Sequence, residues 1–424
     1  MSIVMSIVGI IVLLAIGFLF SKHKKQIRLR TVGLALVIQF LFGGFVLYVP
    51  IGQEILFAVS NGFVKLLGYV SEGVNFLLGF WLTDASNVGF VFAFKALPVI
   101  IYLASLISVL YYLGVMKIII RGIGGALKAI LGTSETESLS AAANIFVGQT
   151  EAPLTVKPYI AKMTESELFA VMVGGLASVA GSVLAGYIGM GIPAPYLIAA
   201  SFMSAPGGLL FAKLLIPETE KSVTFVKDGE VDKDDAPANV LEAAARGASD
   251  GMFLVLNVAA MLLAFLSIIG LINGILGWFG SLFGFDGLSL TWLVSIPFRY
   301  LAFLIGVPWQ DSTLAGGIIG IKLITNEFVG YLELSKYVVK GENGVFAAWE
   351  GIQPITGTIL SFALCGFANL SSIAILIGGL GVMAPNRRAD VARLGLYAVL
   401  GGTLSNLMSA TIAGFFFSIG GGVA

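Results

Sequence analysis

The chain has 424 residues, of which 58% are hydrophobic and 11% charged, with a formal net charge of zero. Soluble domains carry about 25% charged residues, so this composition excludes an ordinary soluble protein and predicts a polytopic membrane protein. Cys365 is the single cysteine and His23 the single histidine, which excludes an intrachain disulfide and leaves little for zinc, haem or histidine-based catalysis.

Apolar runs of about 20 residues, the length that a spanning helix needs, mark the first elements. Residues 1–20 and 31–49 are the first two predicted spans. No basic leader or cleavage site marks the first run, so we expect a retained helix and not a signal peptide. Scattered charges over 51–88 predict one or two interfacial helices, 90–115 is the third span, and 116–131 is a cytoplasmic amphipathic helix.

A polar sequence, Gly148-Gln-Thr-Glu-Ala-Pro153, interrupts the next apolar segment, 138–156. A helix crossing here would carry Lys157 and Lys162 outside, against the positive-inside rule. The segment is therefore predicted to be a re-entrant hairpin that enters from the cytoplasm. Backbone that leaves a helix at membrane depth must be buried in protein or line a water-filled cavity, so this break predicts a binding site for a small polar solute.

The sequence Thr164-Glu-Ser-Glu167 resembles a capping box, which predicts that a helix begins there. This helix crosses outward to about Tyr187 and is interrupted at 174–178. Residues 196–215 return inward, and the acidic segment 217–237 is the predicted soluble linker between two halves.

The second half repeats the order of a hairpin, a broken span and a span. Its predicted elements are a short cytoplasmic helix over 239–249, a span over 252–271, a hairpin over 292–329, a span over 355–383 broken at 367–372, and a last span over 394–419. Residues 175–181 also align faintly with residues 366–372. The fold class is therefore all-α, with eight transmembrane helices and two re-entrant hairpins in the inverted repeat of secondary transporters.

The distribution of basic residues sets the orientation, because cytoplasmic loops carry an excess of Lys and Arg. Six of the 24 basic residues fall outside the segments predicted to be cytoplasmic: Lys65, Lys95, Arg299, Lys322, Lys336 and Lys340. We therefore expect both termini to lie outside.

Two acids, Glu151 and Glu327, lie within apolar segments. An acid at the centre of a membrane helix costs about 2.5 to 3.5 kcal/mol, so such residues are functional by default. Their carboxylates would accept hydrogen bonds from the hydroxyl groups of a neutral solute. The alternative is structural: each caps a hairpin helix or pairs with a lysine such as Lys322. Further donors and acceptors suited to a sugar or a base edge come from Gln149, Thr150, Asn369 and Ser372.

Asn144 and Ser178 have two readings. Their side-chain oxygens, with the carbonyl groups of Val147 and Val179, would suit a hard cation such as sodium. Alternatively, Asn and Ser only hold membrane helices together. Phe367 similarly either stacks on an aromatic base or packs.

The tip of the second hairpin, Gln310-Asp311, either contacts solute or caps helix ends. The chain contains no phosphate-binding loop, no His-Glu-x-x-His and no Cys-x-x-Cys motif, which argues against transport driven by nucleotide hydrolysis within this chain.

Three motifs in order, Gly148-Gln-Thr-Glu-Ala-Pro153, Asn326-Glu-Phe328 and Cys365-Gly-Phe-Ala-Asn-Leu-Ser-Ser-Ile373, resemble those of the concentrative nucleoside transporters in their bacterial eight-span form. The resemblance extends over essentially the whole chain. It implies a homotrimer in a bacterial inner membrane that couples sodium entry to the uptake of nucleosides such as uridine by an elevator-like motion. It implies neither an enzyme, nor an organic cofactor, nor a nucleic-acid partner.

The resemblance also divides the chain. Its scaffold comprises 1–131 and 217–280, which hold the first three spans, the sixth span, the linker and the interfacial helices. Its moving transport domain comprises 132–216, with the first hairpin and spans four and five, and 281–424, with the second hairpin and spans seven and eight.

The family's functional residues carry over by position. The nucleobase would lie near Gln149, Thr150, Glu151, Val183 and Phe367. The ribose hydroxyl groups would be held by Glu327, Asn369 and Ser372. Sodium would be held by Asn144, Val147, Ser178 and Val179.

Two alternatives to sodium-coupled import stay open. A proton could replace sodium as the coupling ion, with Glu151 or Glu327 as its carrier, since burial at membrane depth raises carboxyl pKa values. An intramembrane enzyme could instead use the two glutamates as acid and base.

Overall fold

A computed structural model describes residues 2–79, 93, 97–222, 237–285, 287–341 and 346–420. Three features predicted from the sequence lie outside the described residues. These are the start of the third span with Lys95, the end of the interfacial segment 51–88, and the middle of the acidic linker 217–237.

The first half is built from helices that match the predicted order. They are α1 (Ser2–Leu19), α2 (Leu29–Leu47), α3 (Pro50–Gly68), α4 (Val70–Leu78), α5 (Leu97–Tyr112), α6 (Val115–Leu131), α7 (Glu135–Ala143), α8 (Lys157–Ile160), α9 (Glu165–Ala177), α10 (Gly181–Gly189) and α11 (Ala194–Leu215). Short 3-10 helices cover Lys24–Gln26 and Ala152–Val156.

The second half is also helical, with one small addition. Its helices are α12 (Val240–Ser281), α13 (Leu290–Leu304), α14 (Ser312–Ile324), α15 (Glu327–Ser335), α16 (Pro354–Leu364), α17 (Ser372–Met383) and α18 (Arg388–Gly420), with 3-10 helices over Trp309–Asp311 and Pro385–Arg387. Two short strands, β1 (Val338–Lys340) and β2 (Phe346–Trp349), form an antiparallel ribbon between α15 and α16. The sequence analysis did not predict this ribbon.

Length and composition identify the spans only in part. Within the described ranges, five helical segments are long and apolar enough to cross a membrane, or six if the bent pair α5 and α6 is one span. The five are Leu29–Leu47, Glu165–Gly189, Ala194–Leu215, Val240–Ser281 and Pro385–Gly420. The remaining predicted spans correspond to shorter apolar helices, namely α1 and the two halves of a broken helix, α16 and α17.

Helices α5 and α6 meet at an angle of 80°. Gly114, between them, has a φ of +79°, a left-handed conformation that glycine adopts without steric cost. The bend separates an apolar helix from one that carries Lys117, Arg121 and Lys128. It therefore lies where the sequence predicts the change from the third span to an amphipathic helix.

One prediction about helix boundaries is wrong. The sequence suggests a separate short helix over 239–249 before the span at 252–271, but α12 continues without a break for 42 residues. Asn239 caps its start by accepting a hydrogen bond from Glu242 N. Charges near the start of this helix reflect its exposed first turns and do not mark an interruption.

The predicted breaks and the predicted helix start are present. Thr164 and Glu167 form a reciprocal capping box, with Thr164 N to Glu167 Oε2 at 3.0 Å and Glu167 N to Thr164 Oγ1 at 3.1 Å. Helix α9 ends at Ala177 and α10 begins at Gly181, while α16 ends at Leu364 and α17 begins at Ser372. The long helix α18 packs against α1, α9, α11 and α16, so it contacts the first half of both broken helices.

Candidate functional site

Four interruptions of helical backbone meet at one place, and backbone hydrogen bonds join them in series. Gly181 N, after the α9–α10 break, donates to Phe146 O in the first hairpin at 2.9 Å. Phe367 N, in the α16–α17 break, donates to Ser178 O at 3.1 Å. Leu370 N donates to Leu323 O of the second hairpin at 3.0 Å. Both halves of the chain therefore build one site of unwound backbone, as expected for discontinuous helices in transporters.

The residues predicted to hold a cation are all buried. Asn144 is 1% exposed, and its Nδ2 donates to Ser140 O at 2.9 Å. Its Oδ1 is buried and has no hydrogen-bond partner in the described part of the chain. Buried polar atoms almost always have a partner, so this oxygen is suited to receive one from a ligand.

Ser178 reaches the same place from the α9–α10 break. Its Oγ donates to Gly174 O at 3.0 Å, which leaves the lone pairs of the hydroxyl oxygen available. A Cβ at Gly174 would lie 3.2 Å from Asn144 Nδ2, so Asn144 packs against the residue to which Ser178 donates. Val147 and Val179, whose carbonyl groups complete the predicted set, are 3% and 0% exposed. This all-oxygen donor set fits a hard cation.

The residues predicted to contact a nucleobase follow directly in the first hairpin. Gln149 Nε2 donates to Ser372 Oγ at 3.4 Å, and its Oε1 is buried with no partner among the described residues. Glu151 Oε2 accepts a hydrogen bond from Gly148 N at 2.8 Å, which closes the turn, while its side chain stays exposed. Thr150 packs against α17, because a Cβ at Gly379 would lie 3.0 Å from Thr150 Cγ2.

The residues predicted to hold a ribose form a connected group around Glu327. Its Oε1 accepts from Tyr187 OH and its Oε2 from Asn369 Nδ2, both at 3.1 Å. Asn369 Oδ1 accepts in turn from Ser372 N at 2.9 Å and from Ser371 Oγ at 2.7 Å. Glu327, Asn369 and Ser372 are each at most 3% exposed. The carboxylate is therefore oriented by hydrogen bonds to both oxygens.

Two further predicted residues border this group. Val183 lies in the first turn of α10, one turn before Tyr187, and is 1% exposed. Phe367 is half-buried, and its backbone forms the link to Ser178 described above. Hydrogen bonds thus link predicted residues of the first hairpin, of both broken helices and of the second hairpin, whereas Val183 is placed only by its position one turn before Tyr187.

The tip of the second hairpin does not join them. Asp311 Oδ2 accepts from Gln353 N at 2.9 Å and from Thr356 Oγ1 at 2.6 Å. It therefore caps the start of α16, which supports the capping alternative for Asp311. Gln310 lines a separate cavity of about 380 Å³ with Met5, Phe303 and Trp309.

Three residues of the site escaped the sequence analysis in whole or in part. Tyr187, which donates to Glu327, served only as a helix boundary, and Asn406 was not singled out as a site residue. Lys322 was considered as a partner of Glu327, but its ammonium group donates to Ala363 O at 2.8 Å and to Asn406 Oδ1 at 2.9 Å.

A short sequence repeat is a signal that could have paired the second hairpin with the first. Asn144-Ile-Phe-Val-Gly148 recurs as Asn326-Glu-Phe-Val-Gly330. The two asparagines differ in their surroundings, because Asn326 Oδ1 accepts from Val329 N at 3.0 Å and caps α15, whereas Asn144 Oδ1 has no partner among the described residues.

Comparison with known protein families covers most of the chain. Family models described as the N-terminus and the C-terminus of Na+ dependent nucleoside transporters match residues 8–81 and 196–414. A model described as nucleoside recognition matches residues 93–194.

Curated relatives match over nearly the whole length. An uncharacterized transporter of Haemophilus influenzae is 55% identical over 421 residues, which cover 99% of each chain. The nucleoside permease NupC of Helicobacter pylori is 51% identical over 418 residues, 98% of each chain. Human solute carrier family 28 member 3 is 40% identical over 414 residues, 97% of this chain and 59% of the human protein.

Solved structures give the same result. CNTnw in an inward-facing substrate-bound state is 53% identical, with a TM-score of 0.93 and full coverage of both chains. A doubly substituted form of CNTnw in an outward-facing state, also 53% identical, gives a TM-score of 0.94 with the same coverage. These relatives are transporters and permeases and not enzymes, which confirms that expectation. The chain therefore belongs to the concentrative nucleoside transporter family.

Proposed function

We propose that this protein imports nucleosides across a bacterial inner membrane by coupling their uptake to inward movement of sodium. The observation that carries the sodium assignment is Asn144 Oδ1, an oxygen buried without a hydrogen-bond partner among the described residues. Ser178 and the carbonyl groups of Val147 and Val179 complete an oxygen site suited to sodium. The H. pylori permease and the family models named for nucleosides support the substrate class.

The two ends of a nucleoside have separate partners in this proposal. Gln149, Thr150 and Glu151 contact the base edge, with Val183 and Phe367 supplying apolar surface beside it. Glu327, Asn369 and Ser372 bind the ribose hydroxyl groups, because a carboxylate accepts from hydroxyl donors and an amide can do both. The hydrogen bond between Gln149 and Ser372 supports a single nucleoside that spans both groups.

The membrane potential supplies enough energy for accumulation. One positive charge moving inward releases about 2.3 kcal/mol per 100 mV. Since 1.4 kcal/mol is a factor of ten, one sodium ion per nucleoside supports roughly fiftyfold accumulation per 100 mV, and a sodium gradient adds to this. No organic cofactor is needed.

In this proposal the chain divides into a fixed part and a moving part, and the moving part carries the site between the two sides of the membrane. A scaffold (1–131 and 217–280) would hold a homotrimer in place, and a transport domain (132–216 and 281–424) would carry the site across, with both termini outside. Inward-facing and outward-facing structures of CNTnw support alternating access.

Accumulation in proteoliposomes tests the function directly. Purified protein is reconstituted with radiolabelled uridine outside, with an inward sodium gradient or with choline replacing sodium. We expect unmodified uridine to accumulate inside only with the gradient. Equal uptake in both media would contradict sodium coupling, and chemically converted uridine would contradict simple transport.

Proton coupling is the alternative that needs its own test. In sodium-free medium, uptake measured from pH 5 to pH 8 should stay at background if sodium is the coupling ion. Uptake that rises as the outer pH falls would instead assign coupling to a protonated carboxylate at Glu151 or Glu327.

A further inference from the structure

Helices α9 and α16 both stop inside the protein, and each leaves carbonyl groups without intrahelical partners. The last four carbonyl groups of any helix lack such partners. Asn406, in the middle of α18, donates hydrogen bonds to carbonyl groups at both helix ends. Its Nδ2 donates to Ala177 O at 2.6 Å and to Cys365 O at 3.0 Å, although these residues are 229 and 41 positions away.

The position of this amide is itself fixed. Its Oδ1 accepts from Lys322 Nζ at 2.9 Å, and Lys322 also donates to Ala363 O, another carbonyl group at the end of α16. Asn406 and Lys322 are 3% and 4% exposed. Both amide N–H donors and the amide oxygen are therefore engaged in a buried network, where the low dielectric strengthens each hydrogen bond.

Close packing holds α18 against both breaks. A Cβ at Gly366 would lie 2.3 Å from Asn406 Oδ1, so the second break reaches the amide only because it has glycine there. One turn earlier on α18, a Cβ at Gly402 would lie 2.9 Å from Leu176 Cβ and 3.1 Å from Ala368 Cβ. A shift of either break must therefore displace the other or the amide between them.

The two breaks serve different ligands in the proposed function. Ala177 directly precedes Ser178 and Val179 of the cation site, and Cys365 lies two residues before Phe367 of the nucleoside site. Resting on that function, we propose that Asn406, held by Lys322, is a positioning residue that couples the cation site to the nucleoside site. Cation binding fixes the end of α9, and the shared amide transmits this position to the end of α16.

The test is the ratio of uridine dissociation constants in choline and in sodium, measured by calorimetry on purified protein. Allosteric coupling typically changes affinity by about 5- to 150-fold, and we expect the wild-type ratio to lie in this range. In Asn406→Ala the ratio should fall by at least about fivefold, towards one. The control is Ser409→Ala, one turn later on α18, whose hydroxyl group accepts from Gln39 on α2 and not from a break.

The ratio separates coupling from stability, because both constants are measured on folded protein. An unchanged ratio in Asn406→Ala, or an equal fall in Ser409→Ala, would overturn the proposal. If Asn406→Ala does not yield folded protein, Asn406→Asp decides, since it keeps the size and the acceptor for Lys322 but loses both donors. Its ratio should fall similarly, and an unchanged ratio or an unfolded protein would count against the proposal. A wild-type ratio of one would instead contradict sodium coupling itself.

Discussion

At the scale of single residues, hydrogen bonds orient both carboxylate oxygens of Glu327, the residue proposed to bind the ribose. Tyr187 and Asn369 each donate to one of its carboxylate oxygens at 3.1 Å, and the side chain is 3% exposed. A carboxylate oxygen has more than one acceptor position, so each oxygen can accept from a ribose hydroxyl as well. Preorganisation of this kind lowers the cost of ordering the site on binding.

Replacing Glu327 by Gln should therefore weaken uridine binding and abolish measurable uptake. A hydrogen bond to a charged group contributes about 1.5 to 3 kcal/mol, which corresponds to a loss of affinity of roughly 10- to 100-fold. Calorimetry in sodium buffer measures the affinity, and proteoliposome uptake measures transport. Glu333→Gln is the matched control, because Glu333 lies on the same helix and pairs only with exposed Lys336 among the described salt bridges. Wild-type uptake by Glu327→Gln would remove Glu327 from the ribose site.

At the scale of elements, local signals predicted the places where helices begin and break. The capping box at Thr164 has its whole mechanism within four residues, and the polar run before Pro153 stands out against apolar neighbours. The hydrogen bonds of Asn406 had no local signal in the sequence, since its partners are carbonyl groups distant in sequence. The ribbon of β1 and β2 was missed because short strands in a polar loop resemble the loop itself.

A buried ion pair at the start of the first hairpin also escaped prediction, because its two residues are distant in sequence. Lys213 Nζ of α11 lies 2.5 Å from Glu137 Oε2 of α7 and donates to Ser166 Oγ at 2.9 Å. The charged side chains are 7% and 3% exposed. The pair therefore attaches the hairpin that carries Asn144 to the helix that follows the broken span.

Breaking this pair from one side should destabilise the protein strongly. Lys213→Met leaves the Glu137 carboxylate buried without its counter-ion, which costs about 3 to 5 kcal/mol. We expect a clear fall in the thermal unfolding temperature in detergent, and substantial recovery in Lys213→Met/Glu137→Gln, where the carboxylate closest to Lys213 is neutralised and only Glu218, 3.6 Å from Lys213, loses a cation. Lys336→Met, at an exposed pair, should change stability by less than about 1 kcal/mol. A single variant as stable as wild type, or a double variant no better than the single one, would contradict this role.

At the scale of the whole molecule, composition predicted a membrane protein, and the repeated order of hairpins and broken spans predicted a secondary transporter. The order of the helices and of the breaks between them agrees with the prediction in both halves of the described chain. The sequence could not predict how the four breaks come together, because the hydrogen bonds that join them depend on how the two halves of the chain pack. These bonds connect the predicted cation residues to the predicted nucleoside residues through Ser178 and Phe367.

The central claim is that sodium and a nucleoside bind to this connected site cooperatively. Uridine affinity of the wild-type protein, measured by calorimetry at fixed pH in sodium and in choline at equal ionic strength, tests it most directly. Linkage requires that a ligand which raises the affinity for a second ligand is itself bound more tightly in its presence. We predict tighter uridine binding in sodium, by at least about fivefold, and tighter sodium binding in the presence of uridine. Equal uridine affinity in the two salts would contradict the account.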